Sequence, residues 1–156
     1  MSKSNNVNIP PGFTLRHTLV GHKNLIYRIA WSPDGNILAS PSEDRTIMLW
    51  NTRNGKPLKS LVGHFGTIPS VAWSPDGNIL ASGSYDKTIG LWNGHTGQNL
   101  GALRTSSLYV NCVDWSPSGK LIASGCQDHR ILLWAVRTRS HLRTLIGHSS
   151  TVNSVA

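Results

Sequence analysis

Acidic residues are scarce in this chain of 156: seven Asp and Glu stand against fifteen Lys and Arg, giving a formal charge of +8, and only 14 % of residues are charged at all. Ordinary globular domains carry about 25 % charged residues, so Ser, Thr, Asn and Gly must supply much of the polar surface. Cysteine is scarcer still, at two. That excludes a disulfide framework and favours a reducing compartment, and with no apolar leader in view a cytoplasmic setting is expected. No run approaches the roughly 18 apolar residues of a membrane-spanning helix. No stretch places apolar residues at a helical period over ten residues either, which disfavours alternating strands and helices. At 38 % hydrophobic residues the chain is still apolar enough to bury a core, which argues against disorder.

Tryptophan, by contrast, is plentiful, and its six positions fall into two columns: Trp31, Trp73, Trp115 and Trp50, Trp92, Trp134. Both columns step by 42 residues. WSPDG at 31–35 returns at 73–77 and as WSPSG at 115–119, while ILAS, ILAS and LIAS end at Ser40, Ser82 and Ser124. Residues 21–62 and 63–104 match at 24 of 42 positions; 105–146 is a more divergent copy, and 147–156 begins a fourth. Each unit reads as four short strands. The Pro-Asp-Gly segment makes one turn, the Ser-Tyr-Asp-Lys-Thr segment a second, and the Gly55 region a third. One four-stranded sheet cannot bury both of its faces, whereas stacked sheets can, so the units are expected to pack as successive blades.

The Gly21-His22, Gly63-His64 and Gly147-His148 pairs, with Trp50, Trp92 and Trp134 closing the units, resemble the WD40 family of β-propellers over residues 14–156. The resemblance implies an all-β fold of three complete four-stranded antiparallel blades with one partial strand at each end, incomplete as a single-chain ring. It divides the chain into a flexible tail, 1–13, and a partial propeller, 14–156. Residues 14–20 are then an outer fourth strand, the blades span about 24–62, 66–104 and 108–146, and 150–156 starts another inner strand. Propellers close with about 4–8 blades. The chain is therefore expected to be a piece of a longer propeller or to assemble with other copies, and not to behave as a stable monomer.

In that family each blade buries a network of His, Ser or Thr, Asp and Trp. His22, Ser40, Asp44 and Trp50 match it, as do His64, Ser82, Asp86 and Trp92; the third copy has Ser124, Asp128 and Trp134, but Ser106 stands at the His position. These groups offer matched donors and acceptors, so they can be buried together without an unpaired polar atom, which is a structural role. The Asp of the Trp-Asp pair is replaced by Asn51, Asn93 and Ala135.

The resemblance further implies recognition of another protein by the narrow face, where the loops before the first strands meet the turns after the second. The matching positions are Leu25, Tyr27 and Glu43; Thr67, Pro69 and Tyr85; Tyr109, Asn111 and Gln127; then Thr151 and Asn153, a set that holds all three tyrosines. Tyr combines contact area with a polar handle, which suits it to binding surfaces, although exposed strand and turn positions also favour it. A basic patch of Arg130, Arg137, Arg139 and Arg143, with His129 and His141, marks the outer edge of the third unit. Protection of an edge strand explains it first, an acidic protein partner second and nucleic acid third, since no aromatics are interleaved for base stacking.

Catalytic readings are weak. Ser84 to Lys87 formally fits S-x-x-K but lies on a strand-to-strand turn. His22, His64 and His148 recur one unit apart and cannot converge on a metal, and no glycine-rich phosphate loop is present, so no metal or cofactor is expected. Cys112 and Cys126 are read as bystander thiols. The expected function is a non-catalytic protein-interaction scaffold, with a self-assembling repeat element as the alternative.

Overall fold

The computed structural model describes residues 9–105 and 109–156. Twelve strands form three antiparallel sheets of four, each in simple sequence order. The first holds β1 (Ala30–Trp31), β2 (Ile37–Pro41), β3 (Thr46–Asn51) and β4 (Pro57–Val62). The second holds β5 (Ser70–Trp73), β6 (Ile79–Gly83), β7 (Thr88–Asn93) and β8 (Asn99–Arg104). The third holds β9 (Val110–Trp115), β10 (Leu121–Cys126), β11 (Ile131–Ala135) and β12 (Ser140–Leu145). The sheets do not close into a ring, and among the described residues no helix is long and apolar enough to cross a membrane.

Register repeats with the sequence. Leu38, Leu80 and Ile122 pair with Trp50, Trp92 and Trp134, and each third strand carries a bulge at its Trp against the fourth strand. The turn after the first strand is built by WSPDG in the first two sheets and by WSPSG in the third. Asp34 accepts hydrogen bonds from Ser32 Oγ (2.6 Å) and the Asn36 amide (3.0 Å), and Asp76 does the same with Ser74 and Asn78. Gly35, Gly77 and Gly119 take φ near +70°, a conformation open to glycine at little cost. The Ser32 hydroxyl, with the Asn36 side chain and amide, draws the Asp34 pKa down to about 2.

The apolar cores lie between sheets. One joins Ala39, Ile47 and Leu49 of the first sheet to Ile68, Val71, Trp73 and Leu80 of the second; the other joins Ile89, Leu91 and Leu103 to Val113, Trp115 and Ile122 of the third. Ile68 and Ile122 are wholly buried, each contributing about 2 kcal/mol. Trp73 Nε1 donates to the Ala30 carbonyl of the preceding sheet at 3.2 Å, and Trp115 Nε1 to Ala72 at 3.0 Å. Trp31 makes no such bond among the described residues. It is 59 % exposed, against 8 % for Trp73 and 9 % for Trp115. With no sheet on that side among the described residues, β1 spans only two residues, and Leu25, Ile26 and Ile29 stay exposed.

The end segments show the same dependence on neighbours. Residues 14–20 and 150–156 form no ladder, because a strand needs partners of its own sheet to do so. Residues 150–156 nevertheless dock on the third sheet: the Val152 amide donates to the Cys126 carbonyl at 3.2 Å.

Candidate functional site

The first strand's leading end and the second strand's trailing end emerge at the same end of each sheet, so the loops and turns named from sequence are brought together. In every sheet one backbone bond ties them: the Glu43 amide to the Leu25 carbonyl (3.0 Å), Tyr85 to Thr67 (2.9 Å) and Gln127 to Tyr109 (3.0 Å). A second bond stitches each turn to the next unit, from the amides of Ile68, Val110 and Val152 to the carbonyls of Ser42, Ser84 and Cys126 (3.1 to 3.2 Å). Thr151 joins this end through its hydroxyl to the Gln127 carbonyl, and Asn111 reaches the Val152 carbonyl. Pro69 accepts from the Arg28 amide at 3.3 Å, and Asn153 is exposed beside them.

The tyrosines cross the sheet boundaries. Tyr85 and Tyr109 stack with ring centroids 4.8 Å apart and planes 24° apart. Partial burial, with the phenols of Tyr27 and Tyr109 nearby, pushes the Tyr85 pKa up. Tyr27, Tyr85 and Tyr109 thus form one strip over three sheets, with Leu25 exposed at its leading end. Phe65, 87 % exposed in the loop before β5, belongs to the same end and was not among the sequence candidates. Its signal was its place directly after the Gly63-His64 pair.

Beneath this end lie the hydrogen-bonded networks. In the first sheet Trp50 Nε1 donates to Ser40 Oγ (2.8 Å), Ser40 Oγ lies 2.8 Å from His22 Nε2, and His22 Nδ1 lies 2.9 Å from Asp44. An ionised carboxylate only accepts, so His22 Nδ1 carries a proton towards Asp44, while Nε2 lies within reach of both the Ser40 hydroxyl and the Ser40 carbonyl (3.0 Å). The second sheet repeats the chain from Trp92 through Ser82 and His64 to Asp86 at 2.8, 2.7 and 2.7 Å. Burial opposes the charges on Asp44 and Asp86. Hydrogen bonds outweigh it, from Thr46, the Lys23 amide and His22 at Asp44, and from His64, Thr88 and the Phe65 amide at Asp86, so both stay well below the usual carboxylate range.

The third sheet solves the problem differently. Ser106 lies outside the described residues, but Trp134 still donates to Ser124 at 3.0 Å. Asp128 is gripped by Arg130 through Nε (2.8 Å) and Nη2. Arg130 stands where the other copies have Thr46 and Thr88, and it takes over their donor role. It therefore leaves the basic patch to which the sequence assigned it, whereas Arg137, Arg139 and Arg143 remain exposed at the outer edge. Asn51 and Asn93 serve as the missing Asp would: each Oδ1 accepts two amides of the following turn. Cys112 and Cys126 are buried on β9 and β10, and burial raises the Cys112 thiol pKa. Among the described residues no metal-binding group of His, Cys, Asp or Glu is assembled.

Comparison with known proteins places these features. The family model of the first β-propeller of IFT122 matches residues 7–156. Protein HIR1 of Candida albicans is 43 % identical over 47 residues, 30 % of this chain and 5 % of that protein. The probable cytosolic iron-sulfur protein assembly protein Ciao1 of Drosophila mojavensis is 51 % identical over 37 residues, 24 % of this chain and 11 % of Ciao1. Among solved structures, the RRP9 WD40 repeats and U3-55K each superpose with a TM-score of 0.82 at 27 % identity, covering 85 % of this chain and 42 % of theirs. The chain thus spans less than half the length of these relatives.

Proposed function

The chain belongs to the WD40 β-propeller family, in the group defined by the first β-propeller of IFT122, and from that premise we propose that it is a non-catalytic scaffold binding a protein partner through the narrow face. The observation that carries this reading is the tyrosine strip, Tyr27, Tyr85 and Tyr109, which crosses three blades with Tyr85 and Tyr109 stacked, above the hydrogen-bonded networks. Rigid aromatic area beside polar backbone is the composition of interaction hot spots. The eleven sequence candidates belong to this proposed surface, although its centre is the tyrosines. Two buried cysteines fit a reducing, cytoplasmic setting, which is part of the proposal. The test is selection of binding peptides from a display library, followed by titration against Tyr85→Ala and Tyr109→Ala. Weakened binding with unfolding unchanged supports the reading; peptides that bind both variants as they bind the parent refute it.

Exposed Trp31 favours a second reading, in which a further blade covers the leading face and accepts its indole hydrogen bond as Ala30 and Ala72 accept theirs. That blade would come from the rest of a longer chain or from another copy. Light scattering with the isolated chain separates the two: a monomer at micromolar concentration rules out self-assembly.

A further inference from the structure

Six of the seven acids accept hydrogen bonds inside their own units: Asp34, Asp44, Asp76, Asp86, Asp114 and Asp128. Among the described residues Arg130 alone, of the Lys and Arg, is paired with a carboxylate. The chain's positive charge is therefore left unneutralised at the surface. On the tyrosine-bearing face it is also ordered. Arg45, Lys87 and His129 follow the network aspartates one unit apart, all are exposed, and all hold the left-handed conformation at φ 68°, 69° and 69°. A glycine would occupy that turn position at least cost, yet each copy places a nitrogen-bearing side chain there. Each stands two residues after a position of the proposed surface, Glu43, Tyr85 or Gln127. Glu43 is half-buried and the one carboxylate of these turns outside the blade networks.

We propose that the partner segment received on this face is an acidic peptide, in which Asp and Glu flank an apolar or aromatic anchor. The anchor lies on the tyrosine strip, and the carboxylates meet Arg45 and Lys87, with His129 as a further donor. The inference rests on the narrow-face reading and supplies the chemistry of its ligand. Single-stranded nucleic acid fits less well, because the stacked Tyr85 and Tyr109 spend one π-face of each on the other instead of on bases.

The test uses fluorescence anisotropy with three labelled peptides of one design, a central Phe flanked by Asp and Glu, by Asn and Gln, or by Lys, and with an oligothymidine of similar length. The variants are Arg45→Gly and Lys87→Gly, which remove charge where glycine relieves the backbone and so do not threaten folding. The acidic peptide is expected to bind about tenfold more tightly than its amide counterpart, to lose most of that advantage in the double variant, and to weaken between about 50 and 300 mM salt. Equal binding of the acidic and amide peptides, both lost on Tyr85→Ala, overturns the acidic specificity and leaves the narrow-face reading standing. Binding of no peptide, or binding insensitive to Tyr85→Ala, defeats both. Tighter binding of oligothymidine than of the acidic peptide overturns the proposal in favour of nucleic acid.

Discussion

Arg28 donates a hydrogen bond from Nη1 to Ser154 Oγ at 3.0 Å, joining residues 126 positions apart. Both stand in one column of the repeat, with Ser70 and Cys112 between them. The contact links the segment just before β1 of the first blade to the segment that begins the fourth repeat.

Removing that link should loosen the trailing segment while leaving the blades alone. In Arg28→Met, amide exchange at Asn153 to Val155 is expected to quicken several-fold, while global stability falls by less than about 1 kcal/mol, the scale of an exposed polar contact. Unaltered exchange at those amides in the variant would contradict this.

The buried networks should dominate stability. Asp86→Ala strands the His64 and Thr88 donors and is expected to cost about 2–4 kcal/mol in urea unfolding. Asp44→Ala should cost less, because the first blade is covered on one side only, as the exposed Trp31 shows.

Acid should undo the same networks. Asp44 and Asp86 ionise in the folded state well below their unfolded pKa of about 3.9, so their stabilisation is complete above that value and is lost as pH falls through the folded pKa. Unfolding free energy should therefore decline with falling pH below about 4, and the double variant Asp44→Asn with Asp86→Asn should flatten that slope. Urea titrations from neutral pH downward measure both.

The inner tryptophans are not equivalent. Trp73→Phe and Trp115→Phe each lose an inter-blade hydrogen bond in a packed core, at about 1–2 kcal/mol, whereas Trp31→Phe should stay within about 0.5 kcal/mol. Acrylamide quenching offers an independent check: Trp31→Phe should remove most of the quenchable emission.

Much of this was legible in the sequence for one reason: the repeat places every network member and every turn at a fixed offset. His22, Asp44 and Trp50 were readable as one set because copies one and two carry it identically. The Arg130 to Asp128 pair was not, because a charged residue in the Thr position reads as surface until its distance to the neighbouring carboxylate is known. Nor could the sequence show that β1 shrinks to two residues, since strand length there depends on a neighbouring sheet and not on local propensity. The left-handed turns at Arg45, Lys87 and His129 were equally hidden, as nothing in those residue types demands that backbone.

The bonds from Ile68 to Ser42, Val110 to Ser84 and Val152 to Cys126 give the molecule a direction of assembly. Each blade's second-to-third turn is completed by an amide made later in the chain. On a ribosome, the second-to-third turn of the first blade lacks its closing hydrogen bond until residue 68 has been made, and that of the second until residue 110. A unit cut short in its leading loop therefore leaves the blade before it, although fully synthesised, with an open turn and one uncovered face.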